Sequence, residues 1–177
     1  MGELVVVKAS DQMREPQENT RKHLRRLDSV FPDVPIFFLT TCTRARRPIL
    51  AMDPVHDVFV EEWESALERH GWQVGAYVVM PDHVHFFARS SDDDSAKSLS
   101  NFIGAWKEWT SKRLNREVFR RRDQGSLWQP EFFDHLLRSS ESYSEKWDYV
   151  RDNPVRAGLI DKIEDWPYAG TISDLLW

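Results

Sequence analysis

His83 and His85 stand two residues apart in the run Met80-Pro81-Asp82-His83-Val84-His85-Phe86-Phe87. Imidazole nitrogens are common ligands for divalent metals. On a strand, side chains at i and i+2 leave by the same face, so both imidazoles point one way and Val84 the other. Such a pair is half of a metal site. A second pair, Tyr149 and Asn153, has the i, i+4 spacing that puts a phenol and an amide side by side on a helix. Alone, each has a plain reading: Tyr149 as a partly exposed packing residue, Asn153 as a helix terminator before Pro154. Taken with the histidines, they make more. Two imidazoles and an amide oxygen form a three-ligand, partly open site for a cation that polarises a phosphoryl oxygen. The adjacent phenol is then a candidate nucleophile, since tyrosine forms covalent intermediates. An ordinary phenol titrates near 10, so a neighbouring cation that stabilises phenolate is the help it needs.

These residues must be carried by defined elements. Ile36–Thr43 is β-branched and aromatic and reads as a buried strand, ending in the basic loop Arg44-Ala45-Arg46-Arg47-Pro48. Asp53-Pro54 opens a helix, with Asp53 as cap and Val55, Phe59, Trp63, Ala66 and Leu67 as its apolar stripe. Gly71 closes it as a left-handed cap. Trp72 to Arg89 reads as one or two strands with a bend at Pro81-Asp82. After an acidic loop at 90–95 comes a helix with Leu99, Phe102, Ile103, Trp106 and Thr110 on its stripe and Lys107 and Lys112 off it. Leu127–Leu137 reads as a strand. Ser142-Tyr143-Ser144-Glu145 has capping-box form and opens a third helix, which should end or bend at Asn153-Pro154. In that helix Tyr143, Trp147 and Val150 form the buried stripe, about 120° from Tyr149. This order implies an α+β fold, a ferredoxin-like antiparallel sheet with helices on one face. The other face is then free to present a site.

At 177 residues the chain fits one domain. Residues 1–30 are polar and weakly periodic, with a basic helix around Arg21–Leu27 at most, and 31–177 are expected to form the single domain that carries the candidate site, with a tail bearing Trp166, Tyr168 and Trp177. Most of the eight tryptophans are expected in the core or in groove walls. No apolar run approaches the roughly 18 residues of a membrane span, and the N-terminus lacks a secretory pattern. The single cysteine, Cys42, excludes an internal disulfide, fits a reducing cytoplasm and reads as a small buried strand residue. A net charge of −5 argues against a nucleic-acid partner, but the charges are unevenly spread. Arg21–Arg47 and Lys97–Arg122 are strongly basic, and Asp53–Asp94 is acidic. These are either solvated helix faces or a segregated basic surface. Arg44, Arg46 and Arg47 could hold phosphates.

Three blocks make the reading specific: Val-Val-Met-Pro-Asp-His-Val-His, Trp-Gln-Pro-Glu-Phe-Phe-Asp-His, and Lys-Trp-Asp-Tyr-Val-Arg-Asp-Asn-Pro-Val-Arg-Ala-Gly-Leu. Together, in this order, they resemble the signature blocks of the HUH single-tyrosine transposases, above all the REP-associated tyrosine transposases, relatives of the IS200-like family. The resemblance spans roughly residues 35–170. It implies that His83 and His85 bind a divalent metal, Mg²⁺ or Mn²⁺, that Tyr149 is the nucleophile and that Asn153 completes the metal site. Insertion-sequence members often carry Gln at that last position, so Asn favours the REP-associated branch. The implied activity is metal-dependent cleavage and rejoining of hairpin-flanked single-stranded DNA through a 5′-phosphotyrosine intermediate. The implied partner is single-stranded DNA with a REP-like hairpin.

Two rivals are set against it. A zinc hydrolase would use His83, His85 and His135, but Phe86-Phe87-Ala88 supplies none of the further ligands expected soon after the pair, and His135 reads as a structural or supporting residue. A domesticated, non-catalytic hairpin DNA-binding protein would have no need of His83, His85, Tyr149 and Asn153 together. Tyr143 ranks second as nucleophile. His23, His56 and His70 are expected at the surface.

Overall fold

The computed structural model describes residues 35–91, 96–120 and 125–175. The N-terminal segment, with the helix expected around Arg21–Leu27 and with His23, lies outside the described residues, as do Asp92–Ser95 and Trp177. Five strands, β1 (Ile36–Cys42), β2 (Trp72–Val79), β3 (His83–Ser90), β4 (Phe133–Leu136) and β5 (Ala169–Thr171), form one sheet in the order β4-β1-β3-β2-β5. Every pairing is antiparallel. The histidine strand β3 is therefore central, held on both sides by ladders. Trp72–Arg89 resolves into two strands, with the turn at Pro81-Asp82 where Pro81 was expected to bend the chain.

The α+β antiparallel architecture is the expected one. The first face carries α1 (Asp53–Glu64), the short α2 (Ala66–His70) and α3 (Leu99–Arg113). There Val84, Phe86 and Ala88 of β3 join Phe59, Trp63, Phe102, Trp106 and Trp128 in one buried cluster. Trp63 and Trp106 stack in parallel at 5.7 Å between ring centroids, and Trp106 meets Trp128 at 4.9 Å. The second face, which the sequence left bare, receives α4 (Ser140–Arg151). Phe38, Val78, Met80 and Phe87 pack there against Val150, with Tyr143 and Trp147 alongside. Tyr143 lies 4.5 Å from the Phe87 ring. The apolar stripe of α4 demanded this cover, because Phe38 and Phe87 left in water would forfeit their transfer energy.

Local chemistry explains the remaining differences. The α1 stripe breaks at Ser65, whose hydroxyl bonds back to the carbonyls of Glu61 and Glu62, a pattern that bends helices. Leu67 consequently turns outward and is exposed. Met52, one residue earlier than expected, is the N-cap of α1, and Gly71 ends α2 at φ +71° as expected. The helix α4 starts three residues early. Ser139 and Ser142 form the reciprocal cap, each hydroxyl accepting from the other's backbone N–H. Between 127 and 137 only a bridge from Trp128 to Thr43 and the four residues of β4 are extended. Pro130 lacks a donor for a ladder. The carbonyls of Gln129, Pro130 and Glu131 instead accept from Lys107 Nζ at 3.0, 3.2 and 2.7 Å. Lys107 is buried, and burial pulls its ammonium down to about 8.

Part of the uneven charge is met by ion pairs among the described residues. Arg113 of α3 reaches Glu61 and Glu62 of α1 at 2.7 and 3.1 Å, and Lys112 and Arg116 pair with Glu108 and Glu117. The basic segment after Lys97 thus meets the acidic helix before it. His70 is buried with Lys97 Nζ 2.8 Å from its Nδ1, and His56 bonds the Tyr77 hydroxyl at 2.9 Å, so neither is the surface residue expected. Cys42 is only half-buried, and Arg46 Nη1 lies 2.7 Å from its sulfur.

Candidate active site

On the second face, residues of β1, β3, α4 and the segment after it enclose a cleft of about 460 Å³. His83, His85, Tyr149 and Asn153 all line it. Four residues chosen for their chemistry, from a strand and two consecutive helices more than 60 positions further along the chain, thus share one cavity. Strand geometry places the imidazoles; their ring centroids are 4.7 Å apart and their planes nearly perpendicular. The helix α4 ends at Arg151, and the short α5 (Asn153–Arg156) follows after Asp152, which keeps near-helical angles. The expected interruption at Asn153-Pro154 is real, but the helical phase carries through it. Asn153 therefore stays on the side of Tyr149.

Each imidazole is oriented by a partner. Asp82 Oδ1 accepts from His83 Nδ1 at 2.6 Å, and a carboxylate cannot donate, so Nε2 of His83 carries the lone pair. Thr40 Oγ1 sits 2.7 Å from His85 Nδ1 on the neighbouring strand. With that Nδ1–H donating to the hydroxyl, Nε2 of His85 is likewise free to bind. Burial holds His83 below its ordinary 6.5 despite Asp82. His85 is pushed down to about 3, first by burial and then by the charges of His83, Arg46, Lys146 and Arg156. Both rings are therefore neutral at neutral pH, the form that ligates metals. Phe38 stacks on His85 at 5.4 Å and fixes its plane. Two imidazole nitrogens, that of His83 with its tautomer set by Asp82, and one amide oxygen are a donor set that fits a divalent cation with open positions left over.

Tyr149 is 62% exposed, and its ring edges the cleft. Tyr143, the second-ranked nucleophile, does not line the cleft. Burial raises its phenol above 10. Among the described residues no group of three His, Cys, Asp or Glu side chains is placed to hold a metal. His135 lies on the exposed edge strand β4 and does not line the cleft, which removes the third ligand of the zinc-hydrolase reading.

The three arginines divide. Arg46 ion-pairs with Asp82 at 2.8 Å, behind His83. Ala45 and Arg46 both adopt left-handed φ values, 57° and 52°, a costly conformation for residues with a Cβ. Arg44 and Arg47 line a different depression, with Asn115 and Leu127, so the structure does not bring them into the histidine cleft. Lys146 and Arg156 do line it, and both were missed in the sequence. A signal existed: at 100° per residue Lys146, Tyr149, Asn153 and Arg156 fall within a sector of roughly 80°. Asp82, directly before His83, was also legible as its partner.

Residues 37–153 match the family model described as "Transposase IS200 like", well over half of the chain. The chain belongs to the IS200-like transposase family. It is 24% identical over 147 residues to a Haemophilus influenzae protein provisionally named a REP-associated tyrosine transposase, covering 79% of this chain and 81% of that one. A REP-associated tyrosine transposase of Escherichia coli K12 is 28% identical over 100 residues, 55% of this chain and 53% of its own length. The fold is similar to that of a REP-associated tyrosine transposase solved bound to a REP hairpin. The TM-score is 0.61 at 21% identity, over 80% of this chain and 88% of that one. The two named relatives agree with the branch that the Asn at position 153 favoured. No helix among the described residues is long and apolar enough to cross a membrane.

Proposed function

We propose that this transposase cuts and rejoins single-stranded DNA beside a REP-like hairpin, using Tyr149 as the nucleophile. The observation that carries the reading is the convergence of His83, His85, Tyr149 and Asn153 on one cleft that also holds two cationic side chains. His83 Nε2, His85 Nε2 and the Asn153 amide oxygen would hold Mg²⁺ or Mn²⁺; imidazole ligands suit Mn²⁺ better. When bound, that ion would polarise the scissile phosphate as a Lewis acid. Tyr149 Oη attacks phosphorus and gives up its proton to water. The Oη–P bond forms, the P–O3′ bond breaks, and the departing 3′-oxygen takes up a proton. The 5′-phosphate stays on Tyr149, and attack by a 3′-hydroxyl reverses the step without an outside energy source. Lys146 and Arg156 complement the charge of the phosphate. Asp82 keeps His83 in the tautomer that presents Nε2, and Thr40 holds the His85 ring in place through Nδ1.

The test is a denaturation-resistant protein–DNA adduct, formed with a single-stranded hairpin oligonucleotide and Mn²⁺. Tyr149→Phe should abolish the adduct while hairpin binding survives, and Tyr143→Phe should leave it. An adduct that persists in Tyr149→Phe assigns the nucleophile elsewhere. Hairpin binding by the unaltered chain without any cleavage in Mn²⁺ would favour the non-catalytic binder.

A further inference from the structure

Arg156 is placed where it touches both chemically active groups of the helix. Its guanidinium carbon lies 3.9 Å from the centroid of the Tyr149 ring, a cation–π distance. Its Nη2 donates to the backbone carbonyl of Tyr149 at 2.6 Å and also to Asn153 Oδ1. The oxygen that would complete the metal site is therefore already engaged. The contact is a product of the local fold: Arg156 is three residues from Asn153 and seven from Tyr149, about one and two turns, and the near-helical Asp152 preserves that phase.

We propose that Arg156 is a positioning residue that caps the Asn153 amide oxygen and clamps the Tyr149 ring in the DNA-free protein, and releases both when a DNA phosphate enters the cleft. The inference rests on the metal set given under the proposed function. Its energetic basis is the difference between acceptors. A guanidinium bonded to a neutral amide oxygen exchanges favourably for a phosphate, because the phosphate brings an opposite charge and accepts two parallel bonds from the planar fork. A phosphate in the cleft draws the fork of Arg156 away and leaves Asn153 Oδ1 open to the cation. Metal affinity is thus held down until substrate is present, and the two binding events favour each other by linkage. Lys146 lines the same cleft but sits over Phe38, 5.3 Å from its ring, and so supplies charge without the cap.

The experiment is binding of Mn²⁺ alone to the full chain, measured calorimetrically and by the loss of the free-ion paramagnetic signal, with no DNA present. Arg156→Ala should tighten Mn²⁺ binding about five- to tenfold, the equivalent of one hydrogen bond no longer competing with the metal. The same variant should slow adduct formation, so affinity and activity move in opposite directions. Arg156→Lys keeps the charge without the planar fork and should retain most of the tightening. In an Asn153→Ala background, Arg156→Ala should change Mn²⁺ affinity little, because the capped oxygen is gone. Equal tightening in that background, or the same gain from Lys146→Ala, would mean simple charge removal and overturns the proposal. So does unchanged affinity in Arg156→Ala. If neither the unaltered chain nor Arg156→Ala binds Mn²⁺ while both remain folded, the metal set itself is wrong, and the cap falls with it.

Discussion

The two faces of the sheet are built from the same strands and serve opposite ends. On the face of α1 and α3 the aromatic rings are packed together: Phe59, Trp63, Phe86, Trp106 and Trp128 are essentially inaccessible and linked by ring contacts. On the face of α4 the apolar contact runs only as far as Phe38, Phe87 and Val150, and then opens into the cleft. Residue alternation on β3 makes the contrast explicit. Val84, Phe86 and Ala88 feed the packed face; His83 and His85 feed the open one, and Phe87 packs against Tyr143 and Trp147 of α4. One face holds the strand rigid, so that the other can hold two imidazoles and a helix-borne phenol in fixed relation.

That contrast predicts a clean separation of effects. The largest concerns the open face: Tyr149→Phe removes an exposed hydroxyl, so covalent adduct should vanish while the thermal midpoint stays within a degree or two. A comparable loss of stability would break the division between the faces. On the packed face, Trp106→Ala should cost about 3–5 kcal/mol of stability through the cavity it leaves. Denaturant unfolding measures this, and the surviving folded protein should still form adduct. Between the two lies Asp82→Ala. It removes the acceptor on His83 Nδ1 and should weaken Mn²⁺ binding about 10–100-fold, read by calorimetry. Unchanged affinity would leave Asp82 a purely structural partner of Arg46.

The smallest expected effect is one of pH. His70, at the end of the packed face, is held below 6.5 by burial and then by Lys97 and Arg69. Its lowered folded pKa means that below about 6.5 the unfolded chain takes up a proton that the native state refuses. Stability should therefore fall as pH drops below 6.5, and His70→Gln should flatten that slope. An identical slope in the variant would place the acid sensitivity elsewhere.

Much of the site was legible because its logic is local. The i, i+2 spacing on a strand fixed which way His83 and His85 point, and the i, i+4 spacing fixed the shared face of Tyr149 and Asn153. Lys146 and Arg156 obey the same helical arithmetic but were passed over, since a single basic residue on a helix has a solvated surface as its ordinary reading. Arg44, Arg46 and Arg47 show the opposite limit. They are contiguous in sequence, yet the left-handed turn sends Arg46 to Asp82 and the other two to a separate depression. Lys107 lay off the apolar stripe and was nevertheless buried, because three carbonyls of a distant loop needed a donor.

Sequence by itself determined the candidate donors, the candidate nucleophile and most of the elements that bear them, because side-chain direction in strands and helices follows from backbone period alone. Only the tertiary structure decided that α4 lies across the second face of the sheet, bringing Tyr149 and Asn153 to the histidines. That docking depends on Phe38, Phe87, Tyr143 and Val150 meeting from separate parts of the chain, a contact no local period encodes.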